Sequence, residues 1–158
     1  FACHGFLNER YPFRSALVLS PSGGPDDDDG FLQMREIYGL TMNAALVVLS
    51  ACQTGKGLLE RSEGPLGLAR PFFFAGARAV ISSLWPINDE ASVNFMSEFY
   101  EHLIRGHSAG EALRFAKERM LGSRWSHPFY WAGFVLQGDA SAAGKADLGD
   151  EALLSRGW

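Results

Sequence analysis

Continuous apolar runs alternate along the chain with segments in which apolar residues recur every three or four positions. The continuous runs predict short buried strands, at Phe1–Cys3, Ser15–Ser20, Ala45–Ala51, Arg78–Trp85 and His127–Leu136. The periodic segments predict helices, at Phe31–Leu40, Arg61–Phe74, Asp89–Arg105 and from Ser108 to about Leu121. This alternation predicts an α/β sandwich with a mainly parallel sheet.

Local signals fix several of these boundaries. Pro65 suits the first turn of the second helix and Gly76 the residue just past its end. Ser108 and Glu111 have the spacing of a capping box. The second helix is apolar almost all round and should be largely buried. The acidic segment Pro21–Gly30 predicts a solvated loop, and residues 139–158 a flexible tail behind a domain at 1–138.

Composition narrows the classes of function. The chain has 158 residues, of which 47% are hydrophobic and 20% charged, as in a one-domain globular protein. A net charge of -4 without a basic stripe argues against direct nucleic-acid binding. No apolar run is long enough to cross a membrane. The first residue is Phe rather than Met, so we expect the natural protein to begin further upstream.

The cysteine and histidine pattern favours neither a disulfide framework nor a metal site. Cys3 and Cys52 are the two cysteines in the sequence, and reduced thiols indicate a cytoplasmic protein. The four histidines have no metal-binding spacing with one another or with the cysteines. We therefore expect no metal and no cofactor.

The chemistry concentrates at the ends of two predicted strands. Cys52 follows one buried strand, and His4 follows an earlier one. Sites in parallel sheets form beyond the carboxyl ends of the strands, so neighbouring strands would bring the two side chains to one edge. An imidazole there can take the thiol proton and later protonate a leaving amine. The backbone N–H groups of Gly5 and Cys52 are candidate oxyanion donors.

Each of these residues also has a structural interpretation. A free Cys at a strand end is commonly part of the core. Cys3 precedes His4 by one residue, so its side chain should face the opposite way and pack in the core. His127 opens the last predicted strand and is interpreted as structural.

Five segments occur in the order of a known family: FACHGF, LVVLSACQTGKG, EGPLGLARPFFFAGARAVISSLWPINDEAS, FYEHLIRGHSAGEALRFAKERM and HPFYWAGFVLQG. Together they resemble the CHAT domain family, caspase-like peptidases related to caspases, metacaspases and separases. The resemblance covers about residues 1–138. It implies a caspase-like three-layer α/β/α sandwich, with His4 and Cys52 as a catalytic dyad that hydrolyses peptide bonds in protein substrates.

The resemblance carries further expectations about context. Members are often fused to tetratricopeptide (TPR) repeats and act in bacterial defence or regulated proteolysis, which implies TPR repeats or a regulatory partner in the same or another chain. Family members also have two or more strands before the His-bearing strand. We therefore expect that this chain is the C-terminal part of such a domain, lacking its N-terminal strands.

Two residues after the fourth predicted strand are candidates for substrate binding. The segment from Leu84 to Asp89 resembles the separase stretch whose acidic residue receives a basic P1 side chain, which makes Asp89 a specificity candidate. Asp89 also opens a helix, where Asp is a favoured N-cap. Trp85 ends its strand at the same edge and could wall the substrate groove or pack in the core.

Three functions stay open from the sequence. The first is a cysteine endopeptidase, whose protein or peptide substrate is its partner. The second is a catalytically silent caspase-like module that binds other proteins, although both His4 and Cys52 are present. The third is a Cys-dependent hydrolase or acyltransferase that acts on other compounds.

Overall fold

The computed structural model describes residues 1, 3–6, 8, 10–21, 29–49, 64–145 and 147. Within these ranges the strands are β1 His4–Phe6, β2 Ala16–Val18, β3 Phe31–Gln33, β4 Leu46–Leu49, β5 Ala79–Ser83 and β6 Phe134–Gly138. The α-helices are α1 Met34–Ile37, α2 Gly64–Phe74, α3 Asp89–Ile104 and α4 Ala109–Leu121. Short 3₁₀ turns cover Pro12–Arg14 and Pro128–Tyr130. The fold is thus mixed α/β.

The described strands form two three-stranded sheets. The first has the order β1-β2-β3 and is antiparallel throughout. The second has the order β4-β5-β6, with β4 and β5 parallel and β6 antiparallel to β5. The prediction of a mainly parallel sheet therefore holds for the β4–β5 pair alone.

Two helices between β5 and β6 explain why β6 runs backwards. A single crossover helix returns the chain to the start of the sheet, so the next strand is parallel. Here α3 and α4 follow one another and pack together across the short connection 105–108, as an αα-hairpin does. The second helix carries the chain back to the carboxyl end of β5, and β6 must then descend in the opposite direction.

The second sheet is buried on both faces, as the continuous apolar run of β4 predicts. Alternate strand residues separate into two clusters. On one side Val47, Leu49 and Val80 pack with side chains of α1 and α2. On the other side Val48 and Ile81 pack with α3, α4 and Phe134. Helices therefore cover both faces of this sheet.

The first strand begins later than predicted. The sequence pattern indicates Phe1–Cys3, whereas the structure forms β1 at His4–Phe6. The reason is pairing: His4, Gly5 and Phe6 oppose Val18, Leu17 and Ala16 in an antiparallel ladder. His4 thus lies at the beginning of a strand.

The predicted helix Phe31–Leu40 is wrong over its first half. Residues 31–33 form β3, because Leu32 pairs with Leu17 and both pack against the cluster on the α1–α2 side. Only Met34–Ile37 is helical, starting from a capping box between Gln33 and Glu36. Pairing with a neighbouring strand outweighs the weak helical periodicity of this segment.

The last strand is shorter than predicted. Instead of His127–Leu136, it spans Phe134–Gly138, and Pro128–Tyr130 forms a 3₁₀ turn. Pro128 has no N–H to give to a sheet, and the ring of His127 accepts a hydrogen bond from the backbone of Phe129 at 3.2 Å. The structural interpretation of His127 is thereby explained: its side chain caps this turn.

The first residues of the predicted flexible tail are packed against the protein. The carbonyl oxygens of Ala140 and Ala142 accept hydrogen bonds from Gly110 and Ala109 at the start of α4. The side chain of Ala142 is fully buried, and Asp147 forms an ion pair with Arg78. Residues 148–158 lie outside the described part of the chain.

The predicted end of the second helix is confirmed. The helix α2 ends at Phe74, and Gly76 just beyond it has a φ of 109°. A side chain at Gly76 would also collide with the carbonyl of Met42. No helix among the described residues is long and apolar enough to cross a membrane.

The capping box of α4 gives a first testable prediction. Ser108 accepts a hydrogen bond from the backbone of Glu111, whose carboxylate accepts one from the Ser108 backbone at 2.9 Å. We expect Ser108→Ala to lower the free energy of unfolding by about 1 kcal/mol near neutral pH in urea titrations. Ser97→Ala is the control, because Ser97 is exposed within α3 and away from its cap.

This difference should depend on pH in one direction. Hydrogen bonds from the backbone N–H of Ser108 and, second, from its hydroxyl lower the pKa of Glu111, and Ser108→Ala removes the hydroxyl alone. The contribution of the hydroxyl to the carboxylate is therefore complete above the ordinary Glu pKa and is lost as the pH falls through the lowered one. An effect of Ser108→Ala that does not shrink at low pH would contradict the capping-box explanation.

Candidate functional site

The chain around His4 lies against the strand that leads to Cys52. The backbone nitrogen of Phe1 donates a hydrogen bond to the carbonyl oxygen of Val48 in β4 at 2.6 Å. The Phe1 ring packs on Phe72 with 5.5 Å between ring centroids. Phe1 therefore lies at the edge of β4 opposite β5, although β1 itself belongs to the other sheet and does not pair with β4.

His4 follows three residues later and is exposed. Within the described part of the chain, no side chain or backbone group forms a hydrogen bond with its ring. The imidazole is thus available to solvent and to a substrate. Gly5, the proposed oxyanion donor beside it, is buried and lies opposite Leu17 in the β1–β2 ladder.

Cys52, the predicted nucleophile and second oxyanion donor, lies outside the described residues, as does the whole segment 50–63. The described strand β4 ends at Leu49, three residues before Cys52. The structure therefore brings the chain before His4 alongside the strand that precedes Cys52.

Cys3 packs as predicted and differs chemically from a nucleophile. Its side chain is half-buried against the cluster that includes Leu17 and Phe72, while His4 next to it is exposed. Burial raises the pKa of the Cys3 thiol. A raised pKa means less thiolate, which is the reactive form, at neutral pH.

The raised pKa of Cys3 predicts its alkylation behaviour. In a Cys52→Ala background, we expect iodoacetamide to modify Cys3 with a midpoint at higher pH in the folded protein than in guanidinium-unfolded protein. The sign follows because alkylation rate tracks the thiolate fraction. The check is a pH series followed by mass spectrometry. Equal midpoints in the folded and unfolded states would overturn the prediction.

Trp85 is held in place at the carboxyl end of β5. Its indole N–H donates to the carbonyl oxygen of Phe129 at 2.8 Å, and the two rings stack with 6.3 Å between centroids. Gly133 packs so closely beneath the indole that a Cβ there would lie 2.8 Å from the ring. Trp85 is half-buried and partly packed on the core, so core packing and an accessible ring edge occur together.

Phe129 was missed by the sequence interpretation, which placed it inside a strand. Its ring is exposed and stacks on Trp85, so it extends the aromatic surface at this edge. The signal that could have found it is Pro128, which argues against a continuous strand.

Asp89 is not the N-cap of α3, which corrects its structural interpretation. Asn88 is the N-cap, and its side-chain oxygen accepts a hydrogen bond from the backbone of Ala91 at 3.1 Å. Asp89 lies in the first turn and is exposed, and no cation of the described chain forms an ion pair with it. Its carboxylate is therefore free to meet a cation from outside.

Ser82 is a second residue that sequence reasoning missed. It lies near the end of β5 opposite Leu49, is 3% exposed, and its hydroxyl has no hydrogen-bond partner among the residues that the structure describes. Two adjacent serines at the end of an apolar strand were the available signal.

Across the described residues, no group of three or more His, Cys, Asp or Glu side chains could hold a metal ion.

Comparison with known proteins decides the family. The family model of the CHAT domain matches residues 1–139 of this chain, which is most of its length. The chain belongs to the CHAT domain family. CHAT domains are a caspase-like family, and the matched range contains His4, Gly5, Cys52, Trp85 and Asp89.

Two mammalian relatives match the CHAT domain region. Tetratricopeptide repeat protein 28 of Mus musculus is 37% identical over 122 residues, which are 77% of this chain and 5% of that protein. Tetratricopeptide repeat protein 28 of Homo sapiens is 36% identical over 120 residues, or 75% of this chain and 5% of that protein. The chain thus spans about 5% of the length of these relatives, whose names describe repeats.

Proposed function

We propose that this CHAT domain is a cysteine endopeptidase whose nucleophile is Cys52 and whose acid/base is His4. The observation that supports it is the backbone hydrogen bond between Phe1 and Val48, at 2.6 Å. It holds the chain before His4 against the strand that precedes Cys52. His4 is exposed nearby, and its ring is free of partners in the described chain.

The reaction divides into two steps. The His4 imidazole takes the Cys52 proton, and the thiolate sulfur attacks the substrate carbonyl carbon. The backbone N–H groups of Gly5 and Cys52 stabilise the oxyanion. The C–N bond then breaks, and the leaving amine takes the proton from His4. Water, deprotonated by His4, hydrolyses the thioester and restores the free thiol, so no cofactor is required.

Substrate selection falls to residues after β5. The unpaired, exposed carboxylate of Asp89 supports a role as the acid that receives a basic P1 side chain. An exposed carboxylate in the first helical turn is also favourable for α3 itself. Trp85 and the ring of Phe129 stacked on it are proposed to form an apolar wall of the substrate groove.

The proposal extends to the setting of the domain. We infer that residues 1–138 are the C-terminal part of a three-layer α/β/α sandwich, in which helices on both faces of the β4–β6 sheet form the outer layers. The names of the relatives support TPR repeats or another regulatory partner in the same or another chain. A reducing compartment such as the cytoplasm would keep the nucleophile as a thiol.

A protein-binding module without catalysis is the second candidate. The names of the two relatives describe repeats and no peptidase activity, which favours a binding module. It needs no reactive thiol, so the two candidates differ in the chemistry of Cys52.

The test uses the full-length protein and a family of acyloxymethylketone peptides that carry different P1 residues. A peptidase is expected to form a thioether at Cys52, identified by mass spectrometry of the labelled peptide, fastest with Lys or Arg at P1. Cys3 serves as the internal control, since its half-buried thiol has a raised pKa and should be labelled far more slowly than a catalytic thiolate. New protein N-termini in a treated cell lysate then reveal the natural cleavage sites.

The outcomes separate the candidates. Labelling of Cys52 that tracks the peptide sequence supports the peptidase. Equal labelling of Cys3 and Cys52, or none at Cys52 with any P1 residue and any lysate fraction added as activator, contradicts it and leaves the binding module. Labelling of Cys52 without preference for basic P1 residues would contradict the role of Asp89 in substrate binding but not the proposed dyad.

A further inference from the structure

The three-stranded sheet that carries His4 has two chemically different faces. Leu17 and Leu32, cross-strand neighbours of each other, point to the inside and pack against the cluster on the α1–α2 side. His4, Val18 and Phe31 form the next row across the sheet. Because cross-strand neighbours share a face and alternate residues do not, this second row points outward.

The outward face is apolar and accessible around the histidine. Phe6 follows His4 by two residues and so shares its face; its side chain is 47% exposed. Phe31 is 42% exposed, and Val18 between the two outer strands is half-buried. Two exposed phenylalanines thus lie on the same face of one small sheet as His4.

The chemistry of His4 identifies what would lie on this face. A histidine that protonates the leaving amine must come within about 3 Å of the nitrogen of the residue after the scissile bond. The side chain of that residue, P1′, is therefore beside the imidazole. Trp85 and Asp89 follow β5, on the other side of β4. They flank the residues before the scissile bond, and the His4 sheet remains for those after it.

The distances between these side chains match the spacing of side chains along an extended peptide. Val18 is directly opposite His4, where Cβ atoms are about 5 Å apart, and Phe6 is about 7 Å along the strand. Phe31 lies one strand further, about 10 Å from His4. Consecutive residues of an extended chain advance about 3.3 Å each. Alternate side chains of an extended chain share a face, so P1′ would reach Val18 and Phe6, and P3′, about 7 Å further on, would approach Phe31.

We propose that the outer face of the β1–β3 sheet is the primed-side binding surface of the peptidase, with Phe6, Val18 and Phe31 selecting large apolar residues at P1′ and P3′. The inference rests on the proposed function, since it takes His4 as the proton donor to the leaving group. It adds a substrate class: peptides with apolar side chains just after the cleavage site.

The first experiment compares cleavage-site profiles. The full-length protein is incubated with a proteome-derived peptide library, and the termini are mapped by mass spectrometry. We expect Leu, Ile, Met and Phe to be enriched at P1′ and P3′ with wild type, and this enrichment to disappear with Phe6→Ser and Phe31→Ser. Phe74→Ser is the matched control, because Phe74 is 76% exposed on α2 and outside the proposed surface.

The second experiment separates selection from folding. An internally quenched peptide with Leu at P1′ is compared with an aminocoumarin amide that has the same unprimed residues and no P1′ amino acid. The ratio of their kcat/KM values should fall about tenfold in the Phe6 and Phe31 variants, the loss expected for one apolar side chain no longer buried. Misfolding would lower both values and leave the ratio unchanged.

Each result supports or overturns the proposal. Two results would overturn the proposed binding surface without affecting the proposed dyad. One is a wild-type cleavage profile with no enrichment of apolar residues after the cleavage site. The other is a ratio of kcat/KM values that does not change in Phe6→Ser and Phe31→Ser. A fall in the ratio with Phe74→Ser as well would contradict the assignment to this face. Failure of wild type to hydrolyse even the aminocoumarin amides defeats the proposed peptidase, and the surface with it.

Discussion

Cys52→Ala should abolish proteolysis, lowering kcat/KM by about 10³-fold or more, and His4→Gln should lower it by about 10²–10⁴-fold. Alanine offers no sulfur to attack the carbonyl, and glutamine keeps a polar side chain but cannot move a proton. Both variants should fold, because His4 is exposed and free of hydrogen bonds within the described chain. The measurement is hydrolysis of a peptide aminocoumarin amide, with urea titrations to compare stability.

The double variant is the sharper test of a dyad. When two residues transfer the same proton, the effects of substituting them on the rate do not add. The variant with both Cys52→Ala and His4→Gln should therefore be no slower than Cys52→Ala alone. Cys3→Ala is the matched control, since it removes the other thiol of the chain, and it should leave the rate intact. Multiplicative losses in the double variant would mean that the two residues act independently, which the proposed mechanism does not allow.

The strands β4 and β5 of the second sheet were well predicted from sequence because their signals are local, whereas β6 begins later than predicted and runs antiparallel to β5. The continuous apolar runs of β4 and β5 are typical of strands covered on both faces, and the structure covers both faces with helices. The long helices α3 and α4 each have an apolar stripe, and α4 also has a capping box. In each case one short stretch of chain carries the whole signal.

The first sheet was harder to predict because its stability is not local. Its three strands have three residues each, which is too short for periodicity to distinguish them from helix or loop. Phe31–Gln33 is a strand only because Leu32 meets Leu17. The residues next to Leu32 in the sequence do not indicate that it pairs with Leu17.

The site was predictable only in part. The rule that sites form at carboxyl strand ends predicted His4 just after a strand, whereas His4 begins β1, and β1 and β4 lie in different sheets. The chain meets β4 three residues earlier, through the hydrogen bond of Phe1. The choice between Asn88 and Asp89 as the cap of α3 could not be made, since both residue types cap helices well. That choice matters, because capping by Asn88 leaves the Asp89 carboxylate exposed.

The burial of helix α2 was also predicted only in part. Its run Phe72-Phe73-Phe74 led to the prediction of a helix buried almost all round, yet Phe72 is 0% exposed and Phe74 is 76% exposed. Successive helical residues point about 100° apart, so only part of such a run can face one sheet. Phe72 packs between β4 and Phe1, whereas Phe74 contacts Tyr38 at the surface.

Phe72→Ala should therefore be strongly destabilising, with a loss of ~3–5 kcal/mol in the free energy of unfolding. The loss combines the buried area of the ring with the cavity left between α2 and β4. Phe74→Ala is the same chemical change two residues away in the same helix. It should cost less than about 1 kcal/mol, because an exposed ring loses little on removal.

Urea unfolding of both variants checks this pair, with the slope of each transition compared to ensure the same unfolded surface. Equal losses for the two would mean that the Phe74 side of α2 is covered as well, as the sequence pattern alone suggested. A large loss confined to Phe72 would also slow catalysis indirectly. Phe72 packs on Phe1, the residue whose backbone joins the His4 segment to β4, so core packing and placement of the candidate acid/base are coupled.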